Sequence, residues 1–280
     1  MSENCNNNCE NCNEECSHDC SSCNKECGER VEIKPTEDTK INKIIGVLSG
    51  KGGVGKSTVS SLLAIELAQK GYKVGIMDAD ITGPSIPKMF GLKDQLFGDE
   101  KGIFPATSTL GIKIVSINMM LENEEVPVLW RGPILGGIIR QFYTEVHWGE
   151  LDYLIIDMPP GTSDVAISII QEIPVNEFVM VTTPAKLVSM IVAKAINMAK
   201  EVNKNIVGLV ENLAYVKCDK CGNDIQIYDE DDTENIAKKY GLKVLGKLPI
   251  DPILARDCDN GSIENYNDSY LDDLISEITK

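Results

Sequence analysis

A doubly wound α/β fold around a mainly parallel sheet is predicted by three features of this chain. Short apolar stretches alternate with helix-periodic ones from Ile41 onward. Stretches such as Tyr153-Leu154-Ile155-Ile156 are apolar throughout instead of alternating, and a glycine-rich turn, Gly50 to Ser57, joins the first apolar stretch to the first helical one. Strands apolar on both faces belong to sheets covered on both sides, and helical crossovers make such sheets parallel. Ligands in them sit beyond the carboxyl ends of the strands.

The first buried strand is read at 43–48. Residues 57–69 follow as a helix that clusters Leu62, Leu63, Ala64, Leu67 and Ala68 on one face. Further strands are read at 73–78, 112–117, 153–157, 177–182, 206–211 and 243–247, and further helices at 132–146, 164–172, 187–202, 232–240 and 268–279. Residues 1–40 differ: they are polar, rich in Asn, Glu and Cys, and hold almost no large apolar side chain. Such a segment cannot bury enough surface to fold alone, so it is expected to be disordered or ordered by metal. The chain thus divides into a Cys-rich tail, 1–40, and a phosphate-loop domain with a cysteine knuckle, 41–280.

At 280 residues and 42% hydrophobic content the chain can bury one full-sized core. No apolar run is long enough to span a bilayer, and the polar start Met1-Ser2-Glu3-Asn4-Cys5 is unlike a secretory signal. A net charge of −16 argues against non-specific affinity for nucleic acid or anionic membranes. Ten cysteines without a signal peptide point to the reducing cytoplasm, where clustered thiols are metal ligands more often than disulfides.

Gly50-Lys51-Gly52-Gly53-Val54-Gly55-Lys56-Ser57 matches G-x-x-x-x-G-K-[ST] at every fixed position. Glycines let the backbone curl so that several N–H groups point into one anion-binding concavity. Lys56 can reach the outer phosphates, Ser57 can ligate Mg²⁺, and Thr58 continues the cradle into the helix. Leu154-Ile155-Ile156-Asp157 ends an apolar strand in an acid suited to holding Mg²⁺ through water. The loop Met158 to Asp164 carries Gly161, where the backbone can approach a terminal phosphate and switch with nucleotide state. A second acidic site, Asp78-Ala79-Asp80, follows another strand, and hydrolysis needs a carboxylate near the terminal phosphate to position water. One of those two acids could instead cap the short helix that follows. Asn212, after the strand 206–211, can both donate to and accept from a base edge, or simply form a turn.

Lys51 is a cation that an ordinary phosphate loop does not need. With it the loop resembles the deviant-loop ATPases, K-G-G-x-G-K-[ST], a group of septum-positioning and plasmid-partition ATPases, the nitrogenase iron protein and the Mrp/ApbC-type iron–sulfur carriers. The resemblance implies slow, Mg²⁺-dependent ATP hydrolysis in a nucleotide-sandwich homodimer, with Lys51 crossing to the partner's phosphates. It further implies that Asp80 orients the attacking water, that Asp78 lies on the Mg²⁺ side, and that Asn212 and the segment Pro249-Ile250-Asp251-Pro252 hold the adenine base.

Cys218-Asp219-Lys220-Cys221-Gly222 is a C-x-x-C-G turn ahead of a probable return strand, Ile225 to Tyr228. Two thiolates can converge on one ion, and Gly222 relieves the turn. Zinc and iron–sulfur clusters want about four ligands, so this half of the chain is short by two; Cys258 is distant and reads as a packed thiol. A two-fold axis would unite two pairs, whereas a redox dithiol would need only one. Mrp/ApbC-type carriers have a C-x-x-C at this place, though many have a proline where Asp219-Lys220 stands here. The resemblance, spanning 41–265, implies a [4Fe–4S] cluster bridged between subunits and handed to iron–sulfur apoproteins.

The tail carries Cys5, Cys9, Cys12, Cys16, Cys20, Cys23 and Cys27, the pattern C-x3-C-x2-C-x3-C used twice with Cys16 shared. Steps of three and four place every thiol on one helical face, but Asn and Ser are poor helix formers, so metal is expected to order any helix there. Cluster, zinc, copper or a bare redox-sensitive tail all stay open, with His18 available as an eighth ligand. Three rival functions fit the residues less well. A septum- or partition-type organiser would use a basic tail, whereas Tyr270 to Lys280 is acidic. A metallothionein-like store leaves the nucleotide loop unexplained, and an electron donor like the nitrogenase iron protein would carry its cysteines nearer the switch loops.

Overall fold

The phosphate loop leaves the centre of a sheet whose two faces are both covered. The computed structural model describes residues 33–280 except 81–82, 84, 101, 121–131, 185, 219 and 229–231. The tail cysteines and His18 lie outside the described residues.

In chain order, β1 (Lys40–Ser49), α1 (Lys56–Gln69), β2 (Val74–Asp78) and α2 (Ile86–Met89) come first. Then come β3 (Phe97–Asp99), β4 (Gly102–Phe104), β5 (Ala106–Thr107), β6 (Lys113–Ser116), α3 (Gly132–Thr144), β7 (Glu150–Asp157) and α4 (Asp164–Glu172). The remainder is β8 (Glu177–Thr182), α5 (Lys186–Glu201), β9 (Asn205–Glu211), β10 (Tyr215–Lys217), β11 (Asp224–Gln226), α6 (Asp232–Tyr240), β12 (Val244–Lys247), α7 (Pro252–Asn260) and α8 (Asp272–Ile278). Eight strands pair in the order β12-β9-β8-β1-β7-β2-β6-β5. Every pairing is parallel except that of β5 with β6. Two antiparallel hairpins, β3–β4 and β10–β11, stand apart from this sheet.

Alternate strand residues divide between two cores, as the period of two requires. Ile45, Val47, Ile155, Val179 and Val210 join Leu62, Leu63 and Leu67 of α1 and Leu274 and Ile278 of α8. The intervening Leu48, Leu154, Ile156 and Phe178 are equally buried, on the face against which α5 packs. Gly46 of β1 leaves no room for a side chain in this second core: a Cβ there would lie 2.3 Å from the Phe178 ring. The doubly wound, mainly parallel architecture is therefore the one predicted.

Several element bounds differ from the sequence reading; β1 and β7, for instance, each begin three residues earlier, at Lys40 and Glu150. α3 ends at Thr144 instead of 146, because Val146 bridges to Ile103 and Trp148 is drawn into the core. α8 starts at Asp272 instead of 268, because Ser269 and the buried Leu271 are spent on packing against the body. α7, around Cys258, has ordinary end signals: Asp251 caps it, Pro252 opens it, and Gly261 closes it at φ 71°.

Candidate functional site

Gly53 and Gly55 both sit at φ 79°, the left-handed region that glycine tolerates, and Gly55 is the N-cap of α1. These two residues turn the loop so that Lys56 enters the helix beside the ends of β2 and β7. Lys56, 5% exposed, places Nζ 2.9 Å from Asp157 Oδ1 and 3.4 Å from Asp80 Oδ2. Burial works against its charge, but Asp157 and Asp80 outweigh burial and hold the ammonium above its usual range. Both contacts are ion pairs without an aligned hydrogen bond, so the buried ammonium keeps its donors for an anion. That is the fit expected of a phosphate ligand.

Asp157 is fully buried and accepts hydrogen bonds from Ser57 Oγ at 2.6 Å and Ser60 Oγ at 2.8 Å. Asp78, opposite it in the β2–β7 register, accepts from Ser116 Oγ at 3.0 Å and from the Asp80 amide at 3.3 Å. Burial first, then the neighbouring Asp157 carboxylate, push Asp78 up to about 8 against the pull of Lys56 and Ser116. Three carboxylates share one lysine here, which adds to burial in holding Asp78 above its ordinary range. A hydroxyl and two carboxylates are hard oxygen donors, so this set fits a Mg²⁺-sized cation. Ser60 and Ser116 were not anticipated; each is an ordinary Ser in sequence and acquires its role only through the sheet.

The loop after β7 folds back over the phosphate loop. Gly161, at φ 73°, donates its amide to Ser49 O at 2.8 Å, and Met158 donates to Val47 O at 3.1 Å. Gly50 has the α5 backbone against it, since a Cβ there would lie 2.9 Å from the Val192 amide nitrogen. Lys51 and Gly52 are exposed, and Lys51 makes no ion pair with a described residue. Thr58 lies half-buried in the first turn of α1.

The residues read as base contacts gather behind the loop. Asn212, 5% exposed, donates from Nδ2 to Val54 O at 2.9 Å. Pro249 is buried beside Leu248 and Ile250, whose amides donate to Glu211 O and Tyr215 O. The Asp251 side chain is already engaged: Oδ1 accepts from the Ile253 amide at 2.7 Å and Oδ2 from Tyr266 OH at 2.7 Å.

Cys218 and Cys221 ride on the β10–β11 hairpin, with Cys218 half-buried and Cys221 exposed. The turn is closed by Gly222 N to Cys218 O at 2.8 Å, and Gly222 adopts φ 71°. The return strand is shorter than read, ending at Gln226; Ile225 on it and Ile227 and Tyr228 just after it stand exposed. Among the described residues no group of three or more His, Cys, Asp and Glu is arranged to hold a metal alone. Cys258 lies on α7, half-buried, its thiol pushed up to about 11 by burial and then by Asp259 and Asp257.

The family model described as NUBPL iron-transfer P-loop NTPase matches residues 40–280. The chain belongs to this family. It is 46% identical over 234 residues to an iron-sulfur cluster carrier protein of Clostridium perfringens, covering 81% of this chain and 82% of that one. It is 43% identical to the cytosolic Fe-S cluster assembly factor CFD1 of Kluyveromyces lactis, covering 85% and 89%. A nucleotide-binding protein from Archaeoglobus fulgidus, solved with ADP, superposes with a TM-score of 0.75 at 41% identity, covering 83% of this chain and 91% of that one. The cell division ATPase MinD of Pyrococcus furiosus shares the fold, with a TM-score of 0.61 at 22% identity over 85% and 98% of the two chains. The chain is thus a P-loop NTPase with a nucleotide-binding fold. No helix among the described residues is long and apolar enough to cross a membrane.

Proposed function

We propose that this protein is an ATP-dependent iron–sulfur cluster carrier that holds a [4Fe–4S] cluster between two copies of itself and passes it to apoproteins in the cytoplasm. The observation that carries the reading is the hairpin: one half-buried and one exposed thiol on a nucleotide-binding body of an iron-transfer family, half of the four that a cluster needs. A second copy's pair completes the set, and the exposed Ile225, Ile227 and Tyr228 beside it give that copy an apolar surface to meet.

ATP is the nucleotide in this reading. Gly50, Gly52, Gly53, Val54, Gly55, Lys56, Ser57 and Thr58 cradle its phosphates, and Lys56 leaves Asp157 and Asp80 to do so. Ser57, Asp78 and Asp157 would hold Mg²⁺, directly or through water; the ion supplies charge neutralisation at the phosphates. Asp80, beside Lys56 in this site, orients the attacking water. Lys51, exposed at the loop tip, serves the second copy's phosphates. Asn212 and the Pro249–Asp251 backbone flank the base; the Asp251 carboxylate stays with its helix cap. The tail cysteines form a separate thiolate site. The net charge of −16 disfavours nucleic acid and anionic membrane as partners.

Anaerobic reconstitution with iron and sulfide tests the reading. One cluster per two chains is expected, with Cys218→Ala or Cys221→Ala abolishing it in a protein whose tail cysteines are serine, while ATP binding persists. Stoichiometric zinc with no iron would point to a structural knuckle instead.

A further inference from the structure

The β10–β11 hairpin stands apart from the main sheet, so its direction is set where the chain leaves the body and where it rejoins it. The outgoing arm follows Glu211, the last residue of β9, and turns at Leu213, whose φ of 56° is one that L side chains rarely take. Backbone of this kind persists where its surroundings enforce it. Here Leu248 N donates to Glu211 O at 2.8 Å, Ala214 N to Leu248 O at 2.8 Å, and Ile250 N to Tyr215 O at 2.7 Å. The chain re-enters the body at Thr233, in the first turn of α6, and the Thr233 hydroxyl donates to Glu211 Oε1. Glu211 therefore grips both ends of the excursion, across 22 positions of sequence. Both residues are buried, Glu211 being 2% exposed and Thr233 1%. A carboxylate in such a place is costly unless it is paired. Lys247 supplies the charge, with Nζ 3.4 Å from Glu211 Oε2 and 3.5 Å from Glu234 Oε1. An apolar contact could join α6 to β9 without that cost. What the carboxylate adds is direction, at the root of a lever that carries the thiols.

We propose that Glu211 is a positioning residue for the cysteine pair: its carboxylate holds Thr233 and Lys247, closes the root of the excursion, and fixes the direction in which Cys218 and Cys221 are presented. Direction matters because two thiols from each of two copies must converge on one cluster. A tilt of about 10° at Leu213 would swing Cys218, five residues on at about 3.3 Å each, by up to about 3 Å. Binding constellations tolerate a misplacement of only about 0.5 Å. A loose root would thus spoil a four-thiolate set while leaving the hairpin itself intact. The inference rests on the reading of Cys218 and Cys221 as half of a cluster site, and adds to it what holds that half in place.

The test uses full-length protein whose tail cysteines are serine. Thr233→Val keeps the shape and loses the donor, Glu211→Gln keeps an acceptor and loses the charge, and Thr233→Ser keeps the hydroxyl. In metal-free protein, amide hydrogen exchange over 212–215 and 248–250 should quicken about tenfold in Thr233→Val, the worth of one hydrogen bond to a charged group, and about threefold in Glu211→Gln. After anaerobic reconstitution with iron and sulfide, both variants should release iron to a chelator faster than wild type by the same factors. Thr233→Ser should match wild type in both measurements. Gly46→Ala, destabilised in β1 against Phe178, should hold its cluster as wild type does. Unchanged iron release in Thr233→Val and Glu211→Gln would overturn the positioning role, and Glu211→Gln decides alone if Thr233→Val fails to fold. Equally fast release from Thr233→Ser or Gly46→Ala would trace the loss to general instability and overturn it too. Failure of wild type to take up iron and sulfide, with exchange at the root still quickened in the variants, would instead refute the carrier reading and leave the clamp at the root standing.

Discussion

Glu66 lies on α1 only 8% exposed, accepting from Ser269 Oγ at 2.8 Å. Burial raises its carboxyl above the ordinary 4.5, against the pull of Ser269 and the Tyr270 amide. A raised acid contributes stability that is fully present below its unfolded value and is lost as pH rises through the folded one. The stability of Glu66→Gln relative to wild type should therefore climb from pH 4.5 upward and level off once wild-type Glu66 is ionised. Urea melts across that range check it, and parallel curves for the two proteins would contradict it. Residues of this kind separate what was readable from what was not. Lys56 and Ser57 were identifiable because their neighbours in sequence define them. Asp251 read as a base contact, yet its carboxylate is taken by Ile253 and Tyr266, and Tyr266 is placed there by a turn of chain fifteen residues on.

At the scale of elements, the strands that flank the site pack with little slack. Gly46→Ala sets a methyl 2.3 Å from the Phe178 ring and should cost about 2 kcal/mol. Phe178→Leu opens space on the same side, so the double variant should lose less than the sum of the two single changes. Chemical denaturation of the four proteins measures that coupling. The β10–β11 hairpin lies at the other extreme, outside the main sheet and carrying an exposed thiol. In metal-free protein at pH 8, iodoacetamide should mark Cys221 well before Cys258, and Cys258 should catch up only as pH approaches its value of about 11. Peptide mapping by mass spectrometry follows both. The regular elements were legible because their apolar runs are long and periodic. The β3–β4 hairpin was not, since strands of three residues carry too little pattern to distinguish from a loop.

For the whole molecule, the expected two-fold assembly can be tested through Lys51. Lys51→Ala and Asp80→Asn should each depress ATP hydrolysis. Mixing the two proteins should restore turnover in heterodimers, which native mass spectrometry can count, because one composite site then keeps both groups. No recovery with heterodimers present would leave Lys51 without a role across the interface. The tail gives a second prediction. Replacing its seven cysteines by serine should leave thermal stability and ATP hydrolysis unchanged, since Lys34–Lys280 is a compact unit with its own core. It should remove the metal bound outside the Cys218–Cys221 pair, metal whose binding in wild type weakens as pH falls, because thiolates must shed protons to bind. Retention of that extra metal would remove the tail from the account.

The sequence alone determined the phosphate loop, the paired cysteines and the alternation of buried strand with helix. Each is local: glycine freedom, lysine spacing and apolar period act within one turn or one strand. Tertiary structure decided the rest. Ser60 reaches Asp157 across 97 positions and Asn212 reaches Val54 across 158. Both contacts exist because β1 lies between β7 and β8, with β9 beyond. Strand order is set by which apolar faces pack together most completely, and no single segment records that choice.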